Sequence, residues 1–329
     1  MRYALRRLGF FVLTLWVALT LNFLLPRLMP GNPALAMMTK FHDQGITPQT
    51  LKALEILFGV NTQEGLSGQY VSYLHQMLTL NFGTSLSEYP APVTSLIGSA
   101  IWWTTGLVGV ATVLAFILGT GLGIVSAWRR GGKLDSIVPP TFVIISAIPY
   151  FWVAMVLVLV FALTLHWFPS QNGYYVTTDT PGFNLTFFQD VINHAFLPAV
   201  SLLVTTIGTW ILTMRNTMIT TLAEDYVRMA RAKGLPARRI MFDYAARNAI
   251  LPNLTGFAMS LGFVVSGAIL IEYVFNYPGV GYMLLQAVSG EDYPLMQGLF
   301  LLITVAVLFA ILVADILTAL LDPRTRAAG

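Results

Sequence analysis

Four histidines, fifteen acidic side chains and no cysteine are the raw material for chemistry in this 329-residue chain. His42, His75, His166 and His194 are far apart, with no H-E-x-x-H and no second histidine within a helical turn, so a metal site would have to be assembled from distant positions. The lack of cysteine removes any disulfide framework, thiolate metal site or thiol nucleophile. "GTSLS" at Gly83 lacks the closing glycine of a nucleophile elbow. "GTGLG", Gly119 to Gly123, lies inside an apolar run rather than at a strand-to-helix turn, so it reads as a close helix-packing face and not as a phosphate cradle. "RRGGKLD" resembles part of a nucleotide-binding loop, but Ala127 stands where its first glycine should be and Leu134 where Ser or Thr should follow the lysine. No catalytic residue, metal ligand or bound cofactor is therefore expected in this chain.

Two acidic residues lie in or beside apolar runs, where ionisable groups are functional candidates by default. Asp315 is the more interior, and its plainer reading is a carboxylate pairing locally near the end of its helix. Glu272 stands at the end of another run, placed to snorkel toward the headgroups. The densest polar stretch is "EDYVRMARAKGLPARRIMFDYAARNAILP", Glu224 to Pro252, in which nine of 29 residues are charged and six of those are Lys or Arg.

The elements that must carry these residues are apolar helices. The chain is 56% hydrophobic and only 10% charged, with a mean hydropathy of +0.71, which places it in the membrane class. Six segments qualify as spans: Gly9 to Leu28, Thr105 to Ala127, Ile137 to Leu165, Ala195 to Met218, Leu254 to Val274 and Met296 to Leu320. The first follows Arg2, Arg6 and Arg7 in the manner of a signal peptide, but its apolar run is too long and no small-residue cleavage site follows, so it reads as a retained helix. With the N-terminus taken as cytoplasmic, 15 of the 18 Lys and Arg residues fall inside, and only Arg27, Lys40 and Lys52 fall outside. That partition predicts an all-α integral membrane protein with six transmembrane helices and both termini cytoplasmic. A single membrane domain, 1–329, follows, with a long extracytoplasmic loop at 29–100, a core at 105–320 and a cytoplasmic loop at 219–252. Within the outer loop, "TPQTLKALEILFG" predicts one helix, from Thr47 to Gly59, and Tyr70, Tyr73, Leu74, Met77 and Leu78 predict a second. Both are expected to cap the bundle or lie on the outer membrane surface, with docking of an outside partner as the alternative.

The stretch from Glu224 is too polar to enter the bilayer. It reads as a short helix carrying Glu224, Asp225, Tyr226, Arg228, Ala230, Arg231 and Lys233, terminated by Gly234 and followed by Leu235. Ala230 and Gly234, four apart, form a small-residue patch that would let another backbone approach. Pro236 opens a second helix to about Ala249, with Ile240, Met241, Tyr244, Ala245 and Asn248 along one side and Arg238, Arg239 and Arg247 supplying cationic surface. Two short helices on a Gly-Leu-Pro corner look like a plug for a soluble partner; the bland alternative is a basic loop held near anionic lipid.

The pattern "RMARAKGL…ARNAILP" resembles the cytoplasmic "EAA" loop of bacterial ABC-importer permeases, in the form found in the dipeptide, oligopeptide and nickel branch. Arg228 stands where the general loop pattern has Glu, and Leu251-Pro252 comes about five residues late, departures that are usual in that branch. "PGNPA" at Pro30, "NFGTSL" at Asn81, "AIPYFW" at Ala147, "EYVFNYPGVGYMLLQAVSGEDYPLMQG" at Glu272 and "LDPRTR" at Leu321 extend the resemblance over almost the full length. The resemblance implies a type I permease fold in the bacterial inner membrane and a second, similar permease subunit as partner. It further implies two cytoplasmic ATPase subunits carrying ATP and Mg, and an extracytoplasmic binding protein that delivers substrate. Membrane lipid is a further contact, and nucleic acid is not. Residues Glu224 to Leu235 would then be the coupling helix seated on an ATPase, with Ala230 and Gly234 allowing close contact. Peptide ranks first as substrate and oligosaccharide second, since "NGYY" at Asn172 and the pair Trp102 and Trp103 suit sugar rings as well as peptide side chains, unless they only belt the interface. Nickel ranks last, because the spans hold almost no His and no Cys. A channel or an intramembrane enzyme finds neither a polar pore stripe nor a nucleophile.

Overall fold

In the computed structural model the described residues are 2–28, 65–175, 181–266 and 268–321, with the side chains of 2–8, 25–27 and 314–321 outside that description. The predicted helix at Thr47, the "PGNPA" segment, the side chain of Asp315 and most of "LDPRTR" therefore lie outside the described residues.

The described chain is built from helices: α1 (Arg2–Leu28), α2 (Leu66–Leu78), α3 (Val93–Trp128), α4 (Lys133–Ser146), α5 (Tyr150–Leu157, continuing as a π-helix over Val158–Thr164), α6 (Leu185–Leu222), α7 (Asp225–Ala232) and α8 (Ala237–Ala249). These are followed by α9 (Leu251–Phe263, tightening to a 3₁₀ turn at Val264–Ser266), α10 (Ile269–Val274), α11 (Val280–Ser289) and α12 (Tyr293–Leu321). Three are long and apolar enough to cross a membrane: α3, α6 and the Tyr293–Val313 part of α12. Counting each of two bent helix pairs as one span brings the number to five among the described residues, beside the apolar stretch Gly9–Leu24 of the 27-residue α1.

The second, fourth and sixth predicted spans coincide with α3, α6 and α12, while the third and fifth differ in shape. The second and fourth are longer than their apolar windows, beginning at Val93 rather than Thr105 and at Leu185 rather than Ala195. Asn184 sets the start of α6, its side chain accepting from the Phe187 amide at 2.7 Å. The predicted third span is two helices, α4 and α5, meeting at 97°. Pro149 sits at the break: it has no N–H to continue the ladder, and with ψ 129° it is itself outside the helical region. The predicted fifth span is likewise interrupted, ending its regular turns at Phe263 and resuming as α10 at Ile269.

Gly119 and Gly123 do form the close packing face. A Cβ on Gly119 would lie 2.6 Å from Trp210 Cβ and 2.9 Å from the Ile207 carbonyl, and one on Gly123 would lie 2.7 Å from the Ile211 carbonyl. Only glycine lets α3 and α6 approach backbone to backbone in this way. Around that crossing the core runs along α3. At its N-terminal end Val93, Ile97 and Ala100 pack with Val280, Leu284 and Leu299, and at its C-terminal end Ile124 and Ala127 pack with Met214, Met218 and Ala249. In α2, Tyr73 and Met77 are buried against Leu19, Phe23 and Leu301, whereas Leu78, expected on the same face, is exposed. Trp102, Ile117, Ile144, Leu159 and Phe309 are more than half exposed, an apolar exterior of the kind that lipid or another subunit covers.

Candidate functional site

The loop between α6 and α9 is folded and anchored. Glu224 is the N-cap residue of α7, extended at φ −69° and ψ 147°; its carbonyl accepts from the Val227 and Arg228 amides, while its carboxylate makes no capping bond. At the other end Gly234 takes φ +73°. The Leu235 amide reaches back to the Ala230 carbonyl at 3.3 Å and the Gly234 amide to the Arg231 carbonyl at 2.9 Å, a complete Schellman closure. Leu235 then turns inward against a buried cluster of Val227, Ala230 and Ile240, flanked by Trp128, Leu222 and Tyr244. Pro236 is the N-cap of α8 rather than its first residue.

This geometry corrects one expectation. Ala230 is 2% exposed and packs beneath its own helix, so it offers no surface to a partner. Gly234 lies at the surface with nothing within 4 Å of a Cβ placed on it, and its left-handed φ favours glycine irrespective of any close approach. The face that α7 turns outward is made instead of Glu224, Asp225, Tyr226, Arg228, Met229, Arg231 and Lys233, all exposed. Two ion pairs form on this surface, Arg228 with Asp225 at 3.4 Å and Arg239 with Asp243 at 3.8 Å. Both are solvent-exposed and hold the loop only weakly. Arg231, Lys233, Arg238 and Arg247 make no ion pair among the described residues, which leaves a net cationic surface. A bond from Asn248 Nδ2 to Tyr226 Oη, 2.9 Å, ties α7 to α8. Ala245, Ala246 and Ala249 seat α8 against Ile124, Met214 and Met218. Beside this platform Asp135 accepts from Arg215 Nε at 2.5 Å and from its Nη2 at 2.9 Å, and from the Gly131 amide at 3.0 Å, pinning the α3–α4 turn to α6. In the sequence "RRGGKLD" is only a failed nucleotide loop; the pairing of its aspartate with a residue 80 positions away has no local signal.

At the opposite end of α3 the motifs of the outer segments meet one another. Glu272, expected to snorkel, is fully buried: it accepts from Thr104 Oγ1 at 2.8 Å and from the Gly281 and Tyr282 amides at 2.7 and 3.1 Å. Thr104 in turn accepts from the Val280 amide at 2.7 Å, so the start of α11 is fully bonded. Asp292, also fully buried, accepts from Ser85 Oγ and from the Ser87 amide at 2.9 Å, and caps α12 through the Leu295 amide at 3.1 Å. "NFGTSL" and "GEDYP" are thereby one joint. Trp103 stacks on Tyr174 at 5.9 Å and meets Tyr277 edge-on, while Trp102 and Tyr175 are exposed. Among the described residues no group of His, Asp or Glu is arranged to hold a metal ion.

A helical bundle with an apolar exterior, a folded cationic loop at one end and hydrogen-bonded short helices at the other has the build of a membrane component. The family of binding-protein-dependent transport system inner membrane components matches residues 119–327, and the chain belongs to that family. It is a multi-pass protein of the inner membrane. It is 33% identical to the oligopeptide transport system permease protein AppB of Bacillus subtilis over 92% of each chain. It is 31% identical to the dipeptide transport system permease protein DppB of Lactococcus lactis over 99% of each, and 35% identical to a putative peptide permease protein of Brucella suis over 99% of each. These relatives are permease subunits of transport systems.

Proposed function

We propose that the chain is the permease subunit of an ATP-driven importer of short peptides, forming half of the translocation pathway. The observation that carries this is the α7 platform: a helix closed at its C-terminal end, held by its buried face and presenting its charged face outward, suits a docking element that must move as a unit. Full-length similarity to relatives named for dipeptides and oligopeptides supports peptide over oligosaccharide. In this reading the chain is one membrane domain with six spans and both termini cytoplasmic. A second permease subunit completes the pathway, two cytoplasmic ATPase subunits bind ATP and Mg beneath α7, and a binding protein delivers substrate outside. Closure of the ATPase pair would carry α7 sideways and rock the helices above, a rigid-body switch driven by differential binding of ATP to one state.

Purification of the chain with its native partners, followed by ATPase assays with panels of peptides and oligosaccharides, tests the reading. A second permease and two ATPases, with hydrolysis stimulated by peptides only, is the expected result. A chain that purifies alone would return the basic loop to the role of a lipid-facing surface.

A further inference from the structure

The α7 platform connects to the spans through α8, which bends by 53° into α9. Pro252, at the start of α9, marks the bend. Just above it Asn253 is 1% exposed in an otherwise apolar setting. Its Nδ2 donates to Thr120 Oγ1 on α3 at 3.0 Å and to the Trp210 carbonyl on α6 at 3.2 Å. The carbonyl can only accept, which fixes the amide orientation and leaves Oδ1 buried with no hydrogen-bond partner among the described residues. One turn further on, Phe257 stacks on Phe116 at 4.2 Å, and Phe116 meets Trp210 edge-on at 5.5 Å. Asn253 and Phe257 of α9 therefore face Thr120 and Phe116 of α3, each pair four residues apart, with Trp210 of α6 touching both layers. The contact lies beside Gly119 and Gly123, where α3 and α6 cross backbone to backbone.

We infer that Asn253 is the positioning residue that couples the cytoplasmic platform to the membrane helices, by pinning α9 to the α3–α6 crossing at the point where the lever bends. The inference rests on the permease reading above. A bend of 53° between two helices has no reason to transmit force unless the upper arm is fixed to the body it must turn. Aliphatic contacts slide, whereas a donor shared between two helices is directional and fixes their relative position. The unpartnered Oδ1 gives the same side chain an acceptor that a second arrangement of the helices can engage.

The test uses the whole transport complex in proteoliposomes, with ATP hydrolysis and uptake of labelled tri-alanine and penta-alanine measured on the same preparation. Asn253→Leu removes both bonds while keeping the branching of the side chain, and Thr120→Val removes the bond to α3, the one that ties α9 across to that helix, while leaving the bond to the Trp210 carbonyl. Each is expected to lower peptide uptake per ATP hydrolysed by about tenfold, within the range of ordinary coupling energies. The double variant should be no worse than Asn253→Leu, because both act through one contact. A residue that only holds the fold would lower hydrolysis and uptake in proportion, and that result overturns the inference, as does unchanged uptake per ATP in both variants or a multiplied loss in the double one. If Asn253→Leu does not assemble, Thr120→Val alone decides. Wild-type complex with no ATP-driven peptide uptake would instead overturn the permease reading, and the inference with it.

Discussion

Gly234, Ala230 and Met229 lie within six residues of one another and have three different jobs. Gly234 holds φ +73° in the Schellman closure, so Gly234→Val should cost about 1–2 kcal/mol in local conformation and misdirect the α7–α8 corner. Uptake should fall while membrane insertion, read by fractionation, is retained. Ala230→Leu pushes into a closed cluster, and overpacking of about 1–3 kcal/mol should lower the thermal unfolding midpoint in detergent. Met229→Asp, on the exposed face, should leave that midpoint unchanged and weaken retention of the soluble partners in a pull-down. Glu272 belongs to the fold in the same sense as Ala230. Glu272→Ala orphans the Thr104 hydroxyl and two amides, at about 1–3 kcal/mol per buried donor, and the loss should appear in the unfolding midpoint of the isolated subunit.

Between helices, the α3–α6 crossing is the element on which the others hang. Its closeness depends on Gly119 and Gly123, since every larger side chain there meets backbone oxygen below 3 Å. Gly123→Leu should therefore prevent correct assembly of the bundle, read as loss of the monodisperse peak in size-exclusion chromatography, whereas Gly121→Ala, at a position with open space, should have no such effect. The bends follow the same logic in reverse. Pro149 interrupts an apolar run that would otherwise continue, and Pro252 opens α9 just after the polar α8, so that α5 and α9 leave the direction of their predecessors. Asp135 and Arg215 then lock the α3–α4 turn to α6 through a two-point bond that a lysine at 215 would not reproduce.

For the whole molecule, the natural absence of cysteine makes sidedness directly measurable. Phe183 is fully exposed on the segment before α6, and Arg231 is exposed on α7 at the other end of that helix. An impermeant thiol reagent should label Phe183→Cys in intact spheroplasts and Arg231→Cys only in inverted vesicles. Labelling of both from one side would contradict the alternation of basic residues on which the six-span topology rests.

What the sequence determined by itself is whatever depends on local composition and periodicity: the membrane class, the position of the apolar helices, the charge partition, the glycine face on α3 and the Gly-Leu-Pro corner. The resemblance to the permease family is likewise carried by local patterns, "RMARAKGL" and five others in order along the chain. Tertiary structure decided which way each side chain faces and with whom the polar ones bond. Ala230 looks like a contact for a partner until Ile240 and Trp128 are folded over it, and Glu272 looks like a snorkelling residue until Thr104 and the start of α11 close around it. Asn253 and Thr120 stand 133 residues apart, and Asp292 and Ser85 stand 207 apart. A hydrogen bond is fixed by distance and direction in space, and spacing along one chain of separate helices carries neither until the helices have packed.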